Sequence, residues 1–300
     1  MTTFLVTGST GQVGRRFVPR LAQWTGPGAV RVLVRHEEQA RAATAAGLQA
    51  VVGDLREPAD RARALEGADV VVHLAAGRRG MPDEEAFAVN RDATVALGRD
   101  AAGAGVRRFV HTSTNLVYGR RLGRPAVEDD PLAPDALWGA YAASKAAAEH
   151  GLRAFGDRLP LVVVRPAFVY GEGDPHLADS LHWAGRWPSH QRLSVVHHAD
   201  VARALWGAAV TPGVEGRSYN VADDAPVTAW DLHGINDVPR PESWTAAPGD
   251  TPQADAVVLP KGAGPADPWE SQVSTAAIRR ELGWRPLYPS VWTARDAGAL

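Results

Sequence analysis

The run Gly8-Ser9-Thr10-Gly11-Gln12-Val13-Gly14 directly follows the apolar stretch Phe4 to Thr7 and leads into a helical pattern from Val13 to Trp24. Glycines at these places allow a tight turn, close approach of the backbone to a pyrophosphate, and close packing of helix on strand. The amides and the positive dipole end at the start of the helix then face the phosphates. In a chain with 30 glycines the pattern alone says little. Its place between a first strand and a first helix makes it a dinucleotide fingerprint.

The rest of the first half supports that frame. Val30 to Val34, Ala50 to Val52, Val70 to Leu74, Arg108 to His111 and Leu161 to Arg165 read as further strands with little polar alternation. Such strands are buried on both faces. Helical composition and spacing fill the gaps, over Glu37 to Ala46, Asp60 to Leu65, Glu84 to Ala104 and Trp138 to Phe155. Later, Ala199 to Val210 reads as a helix, Ser218 to Val221 as a strand, and Thr275 to Leu282 as a short helix closed by Gly283. The stretch from about Gly234 to Ser271, rich in Pro and Gly, reads as an irregular substrate-side loop. The expected fold is α/β: a doubly wound parallel sheet with a small C-terminal substrate-binding lobe. Residues 1–171 form the nucleotide-binding and catalytic part and 172–300 mainly the lobe, with 195–221 returning to the core.

Composition narrows the partners. At 300 residues and 45% hydrophobic the chain can bury a large core, and a formal charge of −2 without runs of one sign gives no basis for a nucleic-acid or membrane partner. A small-molecule partner is expected. No apolar stretch is long enough to span a bilayer and the N-terminus enters a strand directly, so the expected location is cytoplasmic. With no cysteine, thiolate catalysis and sulfur-based metal sites are excluded, and no metal is expected.

Two features bear on the nucleotide. Sites that prefer NAD usually close the second strand with Asp or Glu on the ribose 2′-hydroxyl, whereas Arg accommodates a 2′-phosphate. Here that strand ends Val34-Arg35-His36, so Arg35 favours NADP(H) over NAD(H), with Arg15 or Arg16 as helpers. Gly53-Asp54-Leu55 follows the third strand, where Asp54 can accept from an adenine amino group, or cap a helix, while Leu55 packs on the ring. The fourth strand runs into His73-Leu74-Ala75-Ala76-Gly77, whose small residues admit a ligand to the backbone, with His73 read as a packed histidine.

Chemistry is suggested by Tyr141-Ala142-Ala143-Ser144-Lys145 in a helical stretch. Positions i and i+4 share a helix face, and a nearby ammonium stabilises phenolate, so the tyrosine can serve as general acid or base. Only Lys145 and Lys261 among the 32 basic residues are lysine. Arginine would present a fork of different geometry, so lysine here is informative. His111-Thr112-Ser113-Thr114-Asn115-Leu116-Val117-Tyr118-Gly119 leaves a strand at its C-terminal end, where ligands bind in such sheets.

Together these segments resemble the extended or atypical short-chain dehydrogenase/reductase family, which includes NAD(P)-dependent epimerases, dehydratases and reductases. The likeness also takes in Asn90, Arg165-Pro166-Ala167-Phe168-Val169-Tyr170-Gly171 and Glu281-Leu282-Gly283-Trp284-Arg285-Pro286. It implies that Thr114 supplies the catalytic hydroxyl, with Ser113 the runner-up, that Tyr141 trades a proton with substrate, and that Lys145 also binds the nicotinamide ribose. It implies a cofactor shell of Gly8, Thr10, Gly11, Gln12, Val13, Arg35, Asp54, Leu55, Leu74, Ala75, Ala76, Asn90, Thr112, Tyr141, Lys145, Pro166 and Phe168. The long helices holding Asn90 and Tyr141 resemble those that pair in family homodimers, so a homodimer is expected.

Departures from the family pattern narrow the substrate. Phe168 stands where nucleotide-sugar enzymes of the family carry Asn, Leu193 where they tend to have a basic residue, and Asn115-Leu116 where dehydratases place Asp-Glu. The expected substrate wall comprises Ser113, Asn115, Trp138, Phe168, His176 and Trp183, with His182 and Trp187 nearby. The leading expectation is an NADP(H)-dependent reductase or dehydrogenase of a small carbonyl or alcohol. The alternatives are a nucleotide-sugar epimerase with tightly held NAD(P) and a non-catalytic NADP sensor.

Overall fold

The computed structural model describes residues 2–77, 80–119, 123–136, 139–242, 244 and 271–300, together with the backbone but not the side chain of Trp183. Short, almost wholly apolar runs form the strands β1 (Phe4–Thr7), β2 (Val30–Val34), β3 (Gln49–Val52), β4 (Val70–His73), β5 (Arg108–Thr112) and β6 (Leu161–Pro166). The helices α1 (Gly14–Thr25), α2 (Glu37–Ala45), α3 (Pro58–Leu65), α4 (Asp83–Phe87), α5 (Thr94–Gly103) and α6 (Gly139–Arg153) lie between them. There follow β7 (Phe168–Tyr170), α7 (His176–Asp179), α8 (Leu181–Ala184), β8 (Arg192–Leu193), β9 (Val195–His197), α9 (His198–Val210), β10 (Ser218–Val221), β11 (Val227–Thr228), α10 (Ala229–Ile235), α11 (Ala276–Leu282) and α12 (Val291–Asp296).

Seven strands form one parallel sheet in the order β10-β6-β5-β4-β1-β2-β3. The order reverses between β1 and β4, so loops leaving these two strands open a crevice at their C-terminal ends. Helices cover both faces. Phe17 and Leu21 of α1 pack with Val201 and Leu205 of α9 on one side, and Leu65, Leu97 and Leu152 of α3, α5 and α6 fill the other. A separate apolar cluster around Tyr170, Leu177, Leu193, Leu232 and Val291 supports the lobe. There β9 pairs with β7 and β11 with β8, while α9 packs on the main sheet and β10 forms its edge beside β6.

Two local departures from the sequence reading have physical causes. The stretch from Glu84 to Ala104 is not one uniform helix, because a π turn over Ala88–Ala93 separates α4 from α5 and carries the buried Asn90. Gly234 belongs to α10 rather than to the irregular stretch, because the Thr228 and Asp231 capping box starts a helix that runs to Ile235. Most of the remaining stretch to Ser271 lies outside the described residues.

Helix α6 is tied to the sheet by an ion pair buried on both sides. The Arg165 guanidinium donates to both Glu149 carboxylate oxygens at 2.6–3.2 Å, and also to the Tyr118 hydroxyl at 2.5 Å and the Glu128 carbonyl at 3.1 Å. Tyr118 in turn donates to Asn220 at 2.7 Å, so α6, β6, β10 and the turn before Gly119 share one network. Arg165→Met leaves the Glu149 carboxylate uncompensated in the interior and is expected to cost about 3–5 kcal/mol in urea unfolding. A loss under about 1 kcal/mol would show that the pair is dispensable.

Candidate active site

The glycine run is shaped as close approach requires. Gly8 has φ +74°, and a Cβ there would meet the Ala75 amide nitrogen at 2.4 Å, while one on Gly14 would meet the Gly8 carbonyl oxygen at 2.1 Å. Gly8 thus brings the fingerprint against Leu74 and Ala75 at the switch point. Thr10 and Gly11 are exposed, and Gln12 and Val13 partly so, at the opening of α1. That cradle of glycine and free amides suits a pyrophosphate.

At the rim, Arg35 is exposed, its backbone N–H donates to Gln39, and its guanidinium makes no hydrogen bond or ion pair among the described residues. The neighbouring Asp54 carboxylate accepts from the Arg56 guanidinium at 2.6 Å and from the Arg56 amide at 2.9 Å, which holds it below the usual carboxylate range. Asp54 does not cap α3, whose N-cap is Glu57. Leu55 packs partly on the core beside it. The suggestion that Arg16 helps bind a 2′-phosphate fails: its guanidinium is buried and occupied by Gln12 and Glu172. Arg15 is exposed.

Deeper in, Lys145 is 2% exposed and donates to the Thr112 carbonyl at 2.8 Å, fixing its ammonium at the end of β5. Burial pushes its pKa down to about 8, against the opposing field of Glu149 one turn along the helix. Tyr141 is half-buried one turn the other way. Asn90 spans the gap to the switch-point loop: it accepts from the Gly77 amide at 2.7 Å and donates to the Ser144 hydroxyl at 3.0 Å. Ser144 then donates to the Tyr141 carbonyl at 3.0 Å. Asn90 is fully buried, and its polar group is spent linking the Gly77 backbone to Ser144 and so to the Tyr141 carbonyl rather than facing outward.

The hydroxyl segment divides its tasks. Thr114 Oγ1 accepts from the Leu116 amide at 3.3 Å and points its hydroxyl at Asn115 Oδ1, 3.5 Å away, capping the 3₁₀ turn Asn115–Tyr118. Asn115 is buried and donates to the Ser271 carbonyl. The hydroxyls of Thr112 and Ser113 are buried with no partner among the described residues, as groups awaiting a ligand would be. His73 bridges Thr7 at 2.7 Å and Thr94 at 2.8 Å, and burial lowers its pKa to about 3, so it is a neutral packed ring. His111 stacks on it at 5.5 Å, and burial holds it well below the usual imidazole value.

On the lobe side, Pro166 is buried and Phe168 is half-buried in β7, its ring 5.4 Å from that of His176. Ala76 is exposed in the switch-point loop. His182 is exposed, which argues against it as a wall residue. Trp138 and the side chain of Trp183 lie outside the described residues. Sequence reading missed Ser144, whose signal was a hydroxyl inside the Tyr-Lys spacing, and His111, whose signal was a polar ring inside an apolar strand. A mixed-charge cavity of about 840 Å³ at the far end of α6 is lined by Arg153, Arg217, Arg280 and Glu281. Its arginines are satisfied by Glu281, Ser218 and the Gly216 carbonyl, so it is not the reaction centre.

Residues 4–222 match the family described as "NAD dependent epimerase/dehydratase family". Over 242 residues, 76% of this chain and 70% of the relative, the chain is 34% identical to 4-hydroxy-2-methyl-3-oxo-4-farnesyl-3,4-dihydroquinoline-1-oxide ketoreductase of Stigmatella aurantiaca. It is 31% identical over 215 residues to ceramide reductase of Caulobacter vibrioides, covering 69% of this chain and 61% of that one. It is 34% identical over 184 residues to UDP-glucose 4-epimerase of Vibrio cholerae, covering 57% and 53%. The chain thus spans less than two thirds of the length of the last two relatives. Among solved structures it is similar to the dTDP-glucose 4,6-dehydratase DesIV of Streptomyces venezuelae, crystallised with NAD and TYD, at TM-score 0.73 and 26% identity over 98% of this chain and 97% of that one. No helix among the described residues is long and apolar enough to cross a membrane. Matched over most of its length, and built on the Gly8–Gly14 cradle, the chain belongs to the NAD-dependent epimerase/dehydratase family of extended short-chain dehydrogenases/reductases.

Proposed function

We propose that the protein is an NADP(H)-dependent ketoreductase or dehydrogenase of a small hydrophobic or cyclic carbonyl or alcohol. The observation that carries this reading is the Lys145 ammonium, buried and held on the Thr112 carbonyl one helical turn from Tyr141. Likeness to two reductases, and the absence of the dehydratase Asp-Glu pair and of the Asn that nucleotide-sugar enzymes carry at Phe168, support a reductase over a sugar enzyme.

The glycine loop, Arg35, Asp54, Leu55, Leu74, Ala75 and Ala76 would hold the dinucleotide, with Lys145 and the Thr112 hydroxyl toward its nicotinamide end. A dinucleotide held there would supply or accept the hydride. Tyr141 gives its phenolic proton to the carbonyl oxygen during reduction, or takes it from the alcohol in the reverse direction. Lys145 lowers the cost of the resulting phenolate. Ser113 or Thr114 donates to the same oxygen, and the half-buried Phe168 and His176 rings form an apolar wall. Arg35 at the rim supplies charge for a 2′-phosphate.

Tyr141→Phe is expected to lower kcat by about 10²–10⁴ with the thermal midpoint unchanged, and undiminished turnover would remove Tyr141 from this role. NADPH should outcompete NADH, and Arg35→Ala should erase about tenfold or more of that preference in kcat/KM. In a substrate panel, NADPH consumption with hydrophobic ketones is expected. Inversion of a UDP- or dTDP-sugar without net dinucleotide turnover would establish an epimerase instead.

The Lys145 pKa makes opposite predictions for activity and stability. The ammonium is lost as pH rises through about 8, so turnover should fall above that pH. The unfolded chain keeps its proton until about 10.4, so it binds more protons than the folded state across that window. Stability of the apo protein should therefore rise there, and Lys145→Met should abolish the rise in denaturant titrations. Parallel loss of activity and stability would contradict the assignment.

A further inference from the structure

Arg16 links two regions contributed by different parts of the chain. It sits on α1 two residues past the fingerprint, and its side chain is 8% exposed. One guanidinium nitrogen donates both to the Gln12 backbone carbonyl and to Gln12 Oε1, each at 3.0 Å, and the other donates to the Glu172 carbonyl at 2.6 Å. Its charge also faces the carboxylates of Glu172 at 3.7 Å and Asp174 at 3.8 Å. Gln12 belongs to the dinucleotide loop, whereas Glu172 and Asp174 belong to the turn that follows β7 and leads into α7.

That turn is held in one strained shape. Glu172 has φ +56°, uncommon for a residue with a side chain, and Arg20 grips its carboxylate at 3.2 Å. Gly171 presses on the His197 ring, which would lie 2.2 Å from a Cβ there. The fully buried Asp174 carboxylate accepts from His198 at 2.7 Å and from the His176 amide at 3.1 Å. Through His176 the turn sets the ring that meets Phe168. A guanidinium, with donors fixed in a planar fork, can hold Gln12 and Glu172 together in one geometry; an ammonium cannot.

We propose that Arg16 is a positioning residue that couples occupancy of the dinucleotide loop to the shape of the Gly171–Asp174 turn, and so to the Phe168 and His176 wall of the substrate site. This rests on the reading that a dinucleotide fills the Gly8–Gly14 loop. Ligand on that loop stiffens Gln12, Arg16 passes the restraint to the Glu172 carbonyl, and by reciprocity an ordered wall favours the bound dinucleotide.

Hydrogen exchange of the amides of Glu172, Gly173 and Asp174, with and without saturating NADPH, tests the coupling, and calorimetry tests binding itself. In the wild type NADPH should slow these amides about fivefold or more. In Arg16→Ala, NADPH should still bind, but the slowing should vanish. Arg16→Lys keeps the charge beside Glu172 and Asp174, so its thermal midpoint should stay near wild type, yet it should also lose the NADPH-linked slowing. A purely structural arginine would be rescued by lysine in both readouts. Binding without slowing in the wild type, or slowing retained in Arg16→Lys, overturns the clamp alone. No binding heat with NADPH or NADH overturns the clamp together with the cofactor reading. If Arg16→Ala does not fold, the wild type and Arg16→Lys decide the question.

Discussion

An ammonium group in a protein interior is costly unless something holds it, and in this fold the burial of Lys145 organises much of what surrounds it. Its proton is directed to the Thr112 carbonyl, at the C-terminal end of β5. One turn along α6, Glu149 supplies the opposing charge but gives both oxygens to Arg165, so the field on Lys145 comes from an already neutralised pair. Burial thus leaves Lys145 easier to deprotonate than a surface lysine, yet still mostly charged at neutral pH. A group at that balance suits the role proposed for it beside the Tyr141 phenol.

Around this centre the polar residues of the sheet are tied into chains that cross the layers. Thr7, His73 and Thr94 run from β1 through β4 to α5, in register with one another because Thr7 pairs with His73 and His73 with His111 across neighbouring parallel strands. Gly77, Asn90, Ser144 and Tyr141 run from the switch-point loop to α6. Buried networks of this kind fix positions because each member lost leaves its partner unsatisfied in the interior. Among the described residues the buried hydroxyls of Thr112 and Ser113, at the end of β5, have no partner in those chains.

Much of this was legible before any tertiary contact was known, and the reasons are local. Strands buried on both faces announce themselves by apolar composition, and the glycine run by its place after the first of them. The Tyr141 and Lys145 spacing needs only the helical period. Other features were illegible because their determinants are distant in sequence. The uniform helix expected from Glu84 to Ala104 gives way to a π turn at Asn90, whose partners Gly77 and Ser144 lie 13 and 54 residues away. Arg16 read as a cofactor residue by proximity to the glycines, yet its fork turns inward to Glu172, 156 residues on. His182 read as a wall residue by its neighbours and is exposed.

The sequence by itself determined the layer architecture, the dinucleotide cradle and the chemical identity of the Tyr141 and Lys145 pair, because backbone conformation, strand burial and helical spacing are set by residues close along the chain. Tertiary structure decided which polar side chains face a ligand and which are consumed by the protein. Among the described residues it left Arg35 at the rim and the Ser113 hydroxyl without partners, turned Arg16 toward the lobe and gave the Thr114 hydroxyl to a turn. Those outcomes depend on which donor finds which acceptor once the sheet, both helical layers and the lobe are assembled, and no period or motif records that competition.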